Sequence, residues 1–275
     1  ASVESLQPAA VLCAKGDDMT FDEFIEIGRL RAKSPQYRKK RDASIELAAR
    51  ELITHERPYL SLSGGKDSTA MAFIVNEAAI QVNREFRVWC HVSDASFPGT
   101  IETVKAVCDR IHRPLDLYRC PVSAFELVKS KQRRPFGKSG AFFDSIRTYA
   151  DDKDLCFVGV RACESKRRMK AAKIHGAVYQ SKSMGKVTTC VPLQWFRLED
   201  VAAALYEFQA PIHPIYHKQA IDNGKNVNDE TQWIRLNYVT SKDLLNKGTA
   251  VFLKLNYPEL YNKLRAAYPE VGLYA

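Results

Sequence analysis

YLSLSGGKDSTAM, residues 59–71, leads from a short apolar run through two adjacent glycines into a stretch with helical spacing. A strand, a glycine-rich turn and a helix in that order form a site for an anion. The first-turn N–H groups of the helix have no intrahelical partner and carry the positive end of its dipole. Gly64 and Gly65 allow the backbone to approach phosphate oxygens closely and to take positive φ. Ser63, Ser68 and Thr69 add hydroxyls, Lys66 adds a positive charge, and Asp67 is an acid in the first helical turn. The spacing differs from G-x-x-x-x-G-K-[ST], which excludes the usual kinase-like or GTPase-like phosphate loop.

Outward from this turn, short β-rich segments alternate with helical ones. Strands are expected at 58–62, 86–92, 115–120, 155–160 and 187–193. Helices are expected near 68–81, 99–111, 122–131, 141–150, 164–174 and 198–208. This alternation predicts an α/β fold with a doubly wound, mainly parallel sheet covered on both faces. Two helices precede it, Phe21–Leu30 and Ile45–Ile53, with Thr20 and Asp42 as N-caps. After residue 219 the chain turns irregular and then helical, near 229–237, 241–246 and 249–267. The expected organisation is an N-terminal helical segment (1–57), an α/β domain (58–219) and an α-helical C-terminal appendage (220–275).

With 45% hydrophobic residues the chain can bury a sizeable core. No apolar run approaches the roughly 18 residues of a membrane helix, and the N-terminal stretch lacks a signal-peptide pattern. A cytoplasmic protein without a membrane partner is expected. Seven scattered cysteines, with no C-x-x-C pair, argue against a disulfide framework, a zinc knuckle or an iron–sulfur cluster. The net charge of +9 gathers in residues 29–41, 129–138 and 164–173, which favours a polyanionic partner.

S-G-G-K-D-S resembles the S-G-G-x-D-S motif of the PP-loop ATP pyrophosphatases, and the chain looks most like their phosphoadenosine-phosphosulfate reductase branch. Three further regions, within residues 58–219, support the resemblance. HVSDASFPGTIETV (91–104) is similar to an acid followed by F-P-E-T: Asp94, Phe97, Pro98 and Thr100 match, and Gly99 replaces the glutamate. GVRACESKRR (159–168) is similar to G-x-R-x-x-E-S-x-x-R and supplies Gly159, Arg161, Glu164, Ser165 and Arg168. Residues 192–219 resemble the family's P-L…W…D-V and P-x-N-P-L-Y stretches, with Trp195 and Asp200 as the tryptophan and the acid and His213 where asparagine is common. Trp195 and Tyr216 are read as core residues.

The resemblance implies an adenine nucleotide alpha-hydrolase-like fold and a nucleotide site made of Ser63, Gly64, Gly65, Lys66, Asp67, Ser68, Asp94, Gly159 and Glu164. Lys66, Asp67, Arg161 and Arg168 are the expected catalytic residues, with the two arginine forks gripping phosphate or sulfate oxygens. ATP with Mg2+ is the expected cofactor set, and no side chains are assigned as metal ligands. The reductases of this branch use a late cysteine within E-C-G-L-H, whereas residues 191–275 contain none. What the resemblance then implies is adenylation of an oxyanion with release of pyrophosphate, most like the subunit that activates DNA phosphate for phosphorothioation. DNA and a cysteine desulfurase, or another sulfur-delivery protein, are the implied partners. A sulfonucleotide reductase-like or sulfate-adenylating enzyme is the alternative, and a non-catalytic nucleotide-binding scaffold is the second.

Overall fold

In the computed structural model, which describes residues 18–129, 140–180, 184–219, 221–222, 233, 236 and 248–275, the predicted alternation closes into one main sheet. In chain order the elements are β1 (Asp18–Met19), α1 (Phe21–Ala32), α2 (Pro35–Thr54), β2 (Pro58–Ser61), α3 (Lys66–Gln81), β3 (Arg87–Val92), α4 (Thr100–Ile111) and β4 (Leu115–Arg119). Then follow α5 (Ala124–Lys129), α6 (Gly140–Tyr149), β5 (Leu155–Val158), α7 (Lys166–His175), β6 (Val178–Gln180), β7 (Thr188–Cys190) and α8 (Leu198–Glu207). Three 3-10 turns (Ala162–Glu164, Pro214–Lys218 and Pro269–Tyr274), β8 (Ile221–Asp222), α9 (Thr249–Asn256) and α10 (Pro258–Ala267) complete the described elements.

The six strands lie in the order β4-β3-β2-β5-β7-β6, parallel except for β6 on β7, and β1 pairs separately with β8. Successive side chains of a strand point to opposite faces. Leu60, Val88, Cys90, Leu155 and Phe157 therefore enter the larger core with α3, α4 and α8. Tyr59, Trp89 and Cys156 point the other way, onto Ile146 and Ala150 at the end of α6. Both faces are covered, as a parallel sheet requires.

The N-terminal helices belong to the larger core: Phe21, Phe24, Tyr37, Ala48 and Leu52 are buried in it. Thr20 caps α1 in a capping box with Glu23, as expected. The second helix begins ten residues before its expected start. Ser34 accepts from the Tyr37 N–H and Pro35 takes the first helical position, so Asp42 is interior rather than a cap. The expected C-terminal run 249–267 is two helices. Tyr257, with φ −142°, breaks it because the residue before Pro258 is pushed out of the helical region. The helices expected near 229–237 and 241–246 lie outside the described residues, save Trp233 and Leu236. No helix among the described residues is long and apolar enough to cross a membrane.

Candidate active site

The chain runs β2, β3, β4 to one side of the sheet and then restarts at β5 on the other side of β2. Ligands of open α/β sheets bind at such a reversal, beyond the carboxyl ends of the two strands. The S-G-G-K-D-S turn leaves β2 there, and the 159–168 segment leaves β5. Gly159 sets how closely they meet: a Cβ on it would lie 2.7 Å from Ser68 Cα and 3.0 Å from Ser68 N. No side chain could stand there without moving the first turn of α3.

Within the turn, Gly64 has φ +75°, the left-handed conformation that favours glycine. Ser63 and Ser68 hydroxyls lie 3.0 Å apart, and Ser68 Oγ also accepts from the Ser63 N–H at 3.2 Å. No side chain caps α3 through Gly65. Tyr216 Oη accepts from the Lys66 N–H at 3.0 Å. The N-terminal end of α3 is thus shaped by its own hydroxyls and one phenol.

Asp67 holds the charged groups together. Its Oδ2 accepts from Lys66 Nζ at 2.7 Å and its Oδ1 from Arg161 Nε at 2.6 Å. Burial pushes the Asp67 carboxyl up, but the charges of Arg161 and Lys66 outweigh it and hold it well below the usual carboxylate range. The Arg161 side chain is fully buried, and its Nη1 donates to Cys163 Sγ at 3.2 Å. The fork expected to face an oxyanion is directed inward, onto the acid of the nucleotide loop. Glu164 accepts from the Arg161 N–H at 2.6 Å and pairs with the Arg168 guanidinium, tying the whole motif into one turn. Arg168 retains about a third of its side-chain exposure.

Asp94, at the end of β3, bonds away from the loop: it accepts from Ser123 Oγ and from the Ala124 N–H at 2.8 Å. Its carboxylate serves the start of α5. The two departures from the family pattern explain each other. Gly99 has φ +90°, and a Cβ on it would lie 3.2 Å from the Pro214 ring. A glutamate would be strained and crowded there. His213, beside that proline, is buried; its Nδ1 accepts from the Ile215 N–H at 3.1 Å, the bond an asparagine oxygen would make. With Nδ1 accepting, the ring proton sits on Nε2, 3.2 Å from Thr100 Oγ1, whose own proton goes to Phe97 O at 2.7 Å.

The sequence reading missed two participants and expected the wrong burial for a third aromatic residue. Tyr216 is buried as expected, yet its hydroxyl reaches the loop. Trp233 stacks across the Lys66 ammonium, 5.0 Å from the ring centroid. Trp195, expected in the core, is 54% exposed. The place of Tyr216 in the P-x-N-P-L-Y stretch was a signal for it; nothing local distinguishes Trp233.

Among the described residues no group of three or more His, Cys, Asp or Glu side chains could hold a metal ion. Asp67, the carboxylate of the loop, is engaged by two cations. These donors do not fit a resident Mg2+; such an ion would arrive with the nucleotide phosphates.

None of the curated proteins matches the chain. Among solved structures it is similar to Candida glabrata FMN adenylyltransferase, with TM-score 0.51, 11% identity, 71% of this chain and 66% of that chain covered. The chain thus spans just under two thirds of that protein. The same enzyme in complex with ATP gives TM-score 0.51 at 11% identity over 77% and 74% of the two chains. Phosphoadenylyl-sulfate reductase from Candida auris gives TM-score 0.47 at 13% identity over 72% of this chain and 91% of that one. At these identities the likeness is one of fold. Residues 57–274 match the family described as phosphoadenosine phosphosulfate reductase domain, and the chain belongs to that family.

Proposed function

We propose that the protein is an ATP pyrophosphatase that adenylates a nucleic-acid backbone phosphate, with DNA as the first candidate. One observation carries the ATP half of this reading. A helix N-terminus whose cap residue, Gly65, makes no side-chain bond opens at the sheet's reversal point, and the buried cations Lys66 and Arg161 gather there on Asp67. A helix N-terminus and buried cations together favour an incoming polyphosphate. The acceptor oxygen attacks the α-phosphorus, the bond to the bridging oxygen breaks, and pyrophosphate leaves with the electron pair. Such a transfer needs positioning and charge stabilisation rather than a nucleophilic side chain. The named activity of the FMN adenylyltransferase that shares the fold agrees with it. Arg161 positions Asp67, and the more exposed Arg168 is the fork able to meet the acceptor.

Reductase chemistry has less support. Residues 191–275 carry no cysteine, and the Cys163 thiol beside the site donates to Phe196 O at 3.3 Å. Once adenylated, the phosphate is open to a sulfur nucleophile delivered by a separate protein such as a cysteine desulfurase, with AMP leaving.

The test is pyrophosphate release from ATP, with and without DNA. Release should depend on the loop and rise with DNA. Gly65→Val should abolish it in a folded protein, since Ser63 Oγ and Tyr216 Oη already lie 3.3 and 3.6 Å from a Cβ there. Wild-type protein that never releases pyrophosphate would favour the scaffold reading. Release stimulated by sulfate and not by DNA would move the substrate to a small oxyanion.

A further inference from the structure

The three basic stretches do not have the same fate. In residues 29–41 four of the seven cations are paired, Arg29 with Glu26, Arg31 and Lys40 with Asp200, and Arg41 with Glu207. Residues 130–138 of the second stretch lie outside the described residues. The third is α7. Its ten residues, KRRMKAAKIH, contain five Lys or Arg and no acid. Arg168 pairs with Glu164, whereas Lys166, Arg167, Lys170 and Lys173 are outside every ion pair among the described residues.

This arrangement works against the helix itself. Three cations occupy the first turn, where the helix dipole disfavours them. Lys166, Lys170 and Lys173 fall at i, i+4 and i+7, one like-charged stripe about 5.4 Å apart per turn. Packing offers no compensation, because all three are exposed. Between the stripe and the 162–163 turn runs a groove of about 620 Å³, lined also by Cys163, Met169 and Ile174. The 194–196 segment is fastened to the same turn: Gln194 O accepts from the Ala162 N–H at 2.8 Å, and Phe196 O accepts from Cys163 Sγ. Trp195, between them, is 54% exposed.

We propose that the outer face of α7, with Trp195, binds a single strand of nucleic acid. Its phosphates run along the lysine stripe and one unstacked base lies on the indole. Lysine is depleted in the centres of protein interfaces, while nucleic-acid interfaces are strongly positive. An exposed indole stacks any base, and only a strand with free bases can reach it. The groove starts at the turn that carries Arg161 to Asp67, so a strand held there ends beside the nucleotide loop. The inference rests on the nucleic-acid half of the function proposed above, not on ATP cleavage.

Fluorescence anisotropy tests it, using labelled oligo-dT and oligo-rU of about 12 nucleotides, within the usual site size. A duplex of equal length and polyglutamate are the comparators, each at two salt concentrations. The wild type should bind the single strands, less tightly at higher salt. The Lys166→Glu/Lys170→Glu/Lys173→Glu protein should bind about tenfold or more weakly with a shallower salt slope, yet melt close to the wild type, because the first-turn dipole conflict relieved at Lys166 offsets the one created in the last turn at Lys173. Trp195→Ala should weaken single-strand binding by about tenfold and leave duplex binding unchanged. Lys170→Glu alone provides a milder variant should the triple change disturb folding. Unchanged affinity in both lysine variants overturns the inference, as does a sharp fall in melting temperature with Lys170→Glu. So does wild-type protein that binds polyglutamate but no oligonucleotide, which would mark the face as a dock for an acidic protein. Oligonucleotide binding without pyrophosphate release would overturn the ATP reading and leave this one standing.

Discussion

At Asp67 a half-buried carboxylate and two buried cations form a unit whose members cannot be removed one at a time without cost. Taking away one partner of a buried pair leaves an uncompensated charge, which costs about 3–5 kcal/mol. Asp67→Asn should therefore destabilise the protein by roughly that amount, because Arg161 is fully buried against it. Arg161→Lys keeps the charge and loses the fork that reaches Cys163, so a smaller loss, about 1–2 kcal/mol, is expected. Urea denaturation of both variants checks the order; a larger loss for the lysine variant would refute the account. His213 gives a pH signature of its own. Burial pushes its imidazole down to about 4 from an ordinary 6.5, against a smaller upward pull from Glu102. The unfolded chain takes up a proton between those values and the folded one does not. Stability should thus be independent of this group above pH 6.5 and fall as the pH drops toward 4, by roughly 3 kcal/mol at most. His213→Asn keeps the acceptor for the Ile215 N–H and removes the titration. Its stability profile should be flatter than the wild type's in that window, and an unchanged difference between the two would disprove the assignment.

At the scale of elements, the site depends on how closely the end of β5 meets the start of α3. Gly159→Ala would put a methyl 2.7 Å from Ser68 Cα, and backbone cannot yield as a flexible side chain can. A loss of about 1–3 kcal/mol is expected, together with weaker ATP binding, because the first turn of α3 must shift. Calorimetric titration with ATP beside a melting curve would show both, and wild-type affinity would exclude the close approach as a determinant. Much of this arrangement is legible in the sequence. Short β-rich runs and helical spacings locate five of the six strands of the main sheet and most helices, and S-G-G-K-D-S locates the loop. The failures share a physical cause. The start of α2 escapes the apolar periodicity because Tyr37 and Ser44 are anchored by Glu207 and the Pro192 carbonyl, far along the chain. β6 has three residues and exists by pairing with β7. Arg161 has an inward direction set by a carboxylate that follows another strand. Tyr216 reaches the loop from 150 residues away. Local pattern encodes elements; it does not encode which distant group completes a charge or a hydrogen bond.

For the whole molecule, the charge distribution separates what holds the chain together from what faces outward. Asp200, fully buried at the start of α8, accepts from Arg31 Nε at 2.8 Å and Lys40 Nζ at 2.5 Å, and also from the Arg197 N–H. Arg41 and Tyr37 both reach Glu207 at the other end of the same helix. Between these ties α1 crosses α8 at backbone contact: a Cβ on Gly28 would stand 2.3 Å from Ala202 O. Phe21 stacks on Tyr216, 5.2 Å between centroids, and Tyr216 in turn bonds the nucleotide loop. Residues 18–57 are consequently joined both to the core and, through one ring, to the site. A chain beginning at residue 58 would open the α8 face to water, remove both cations of Asp200, and free Tyr216 on one side. The core would also lose Phe21, Phe24, Tyr37 and Leu52; at about 1.5–3 kcal/mol for each large side chain, that is a large part of the 5–15 kcal/mol that stabilises a typical domain. The truncated chain should therefore lack a cooperative melting transition and be cut rapidly by protease. If it melts cooperatively and binds ATP as the full chain does, the N-terminal helices are an accessory to the fold and the Asp200 ties contribute little.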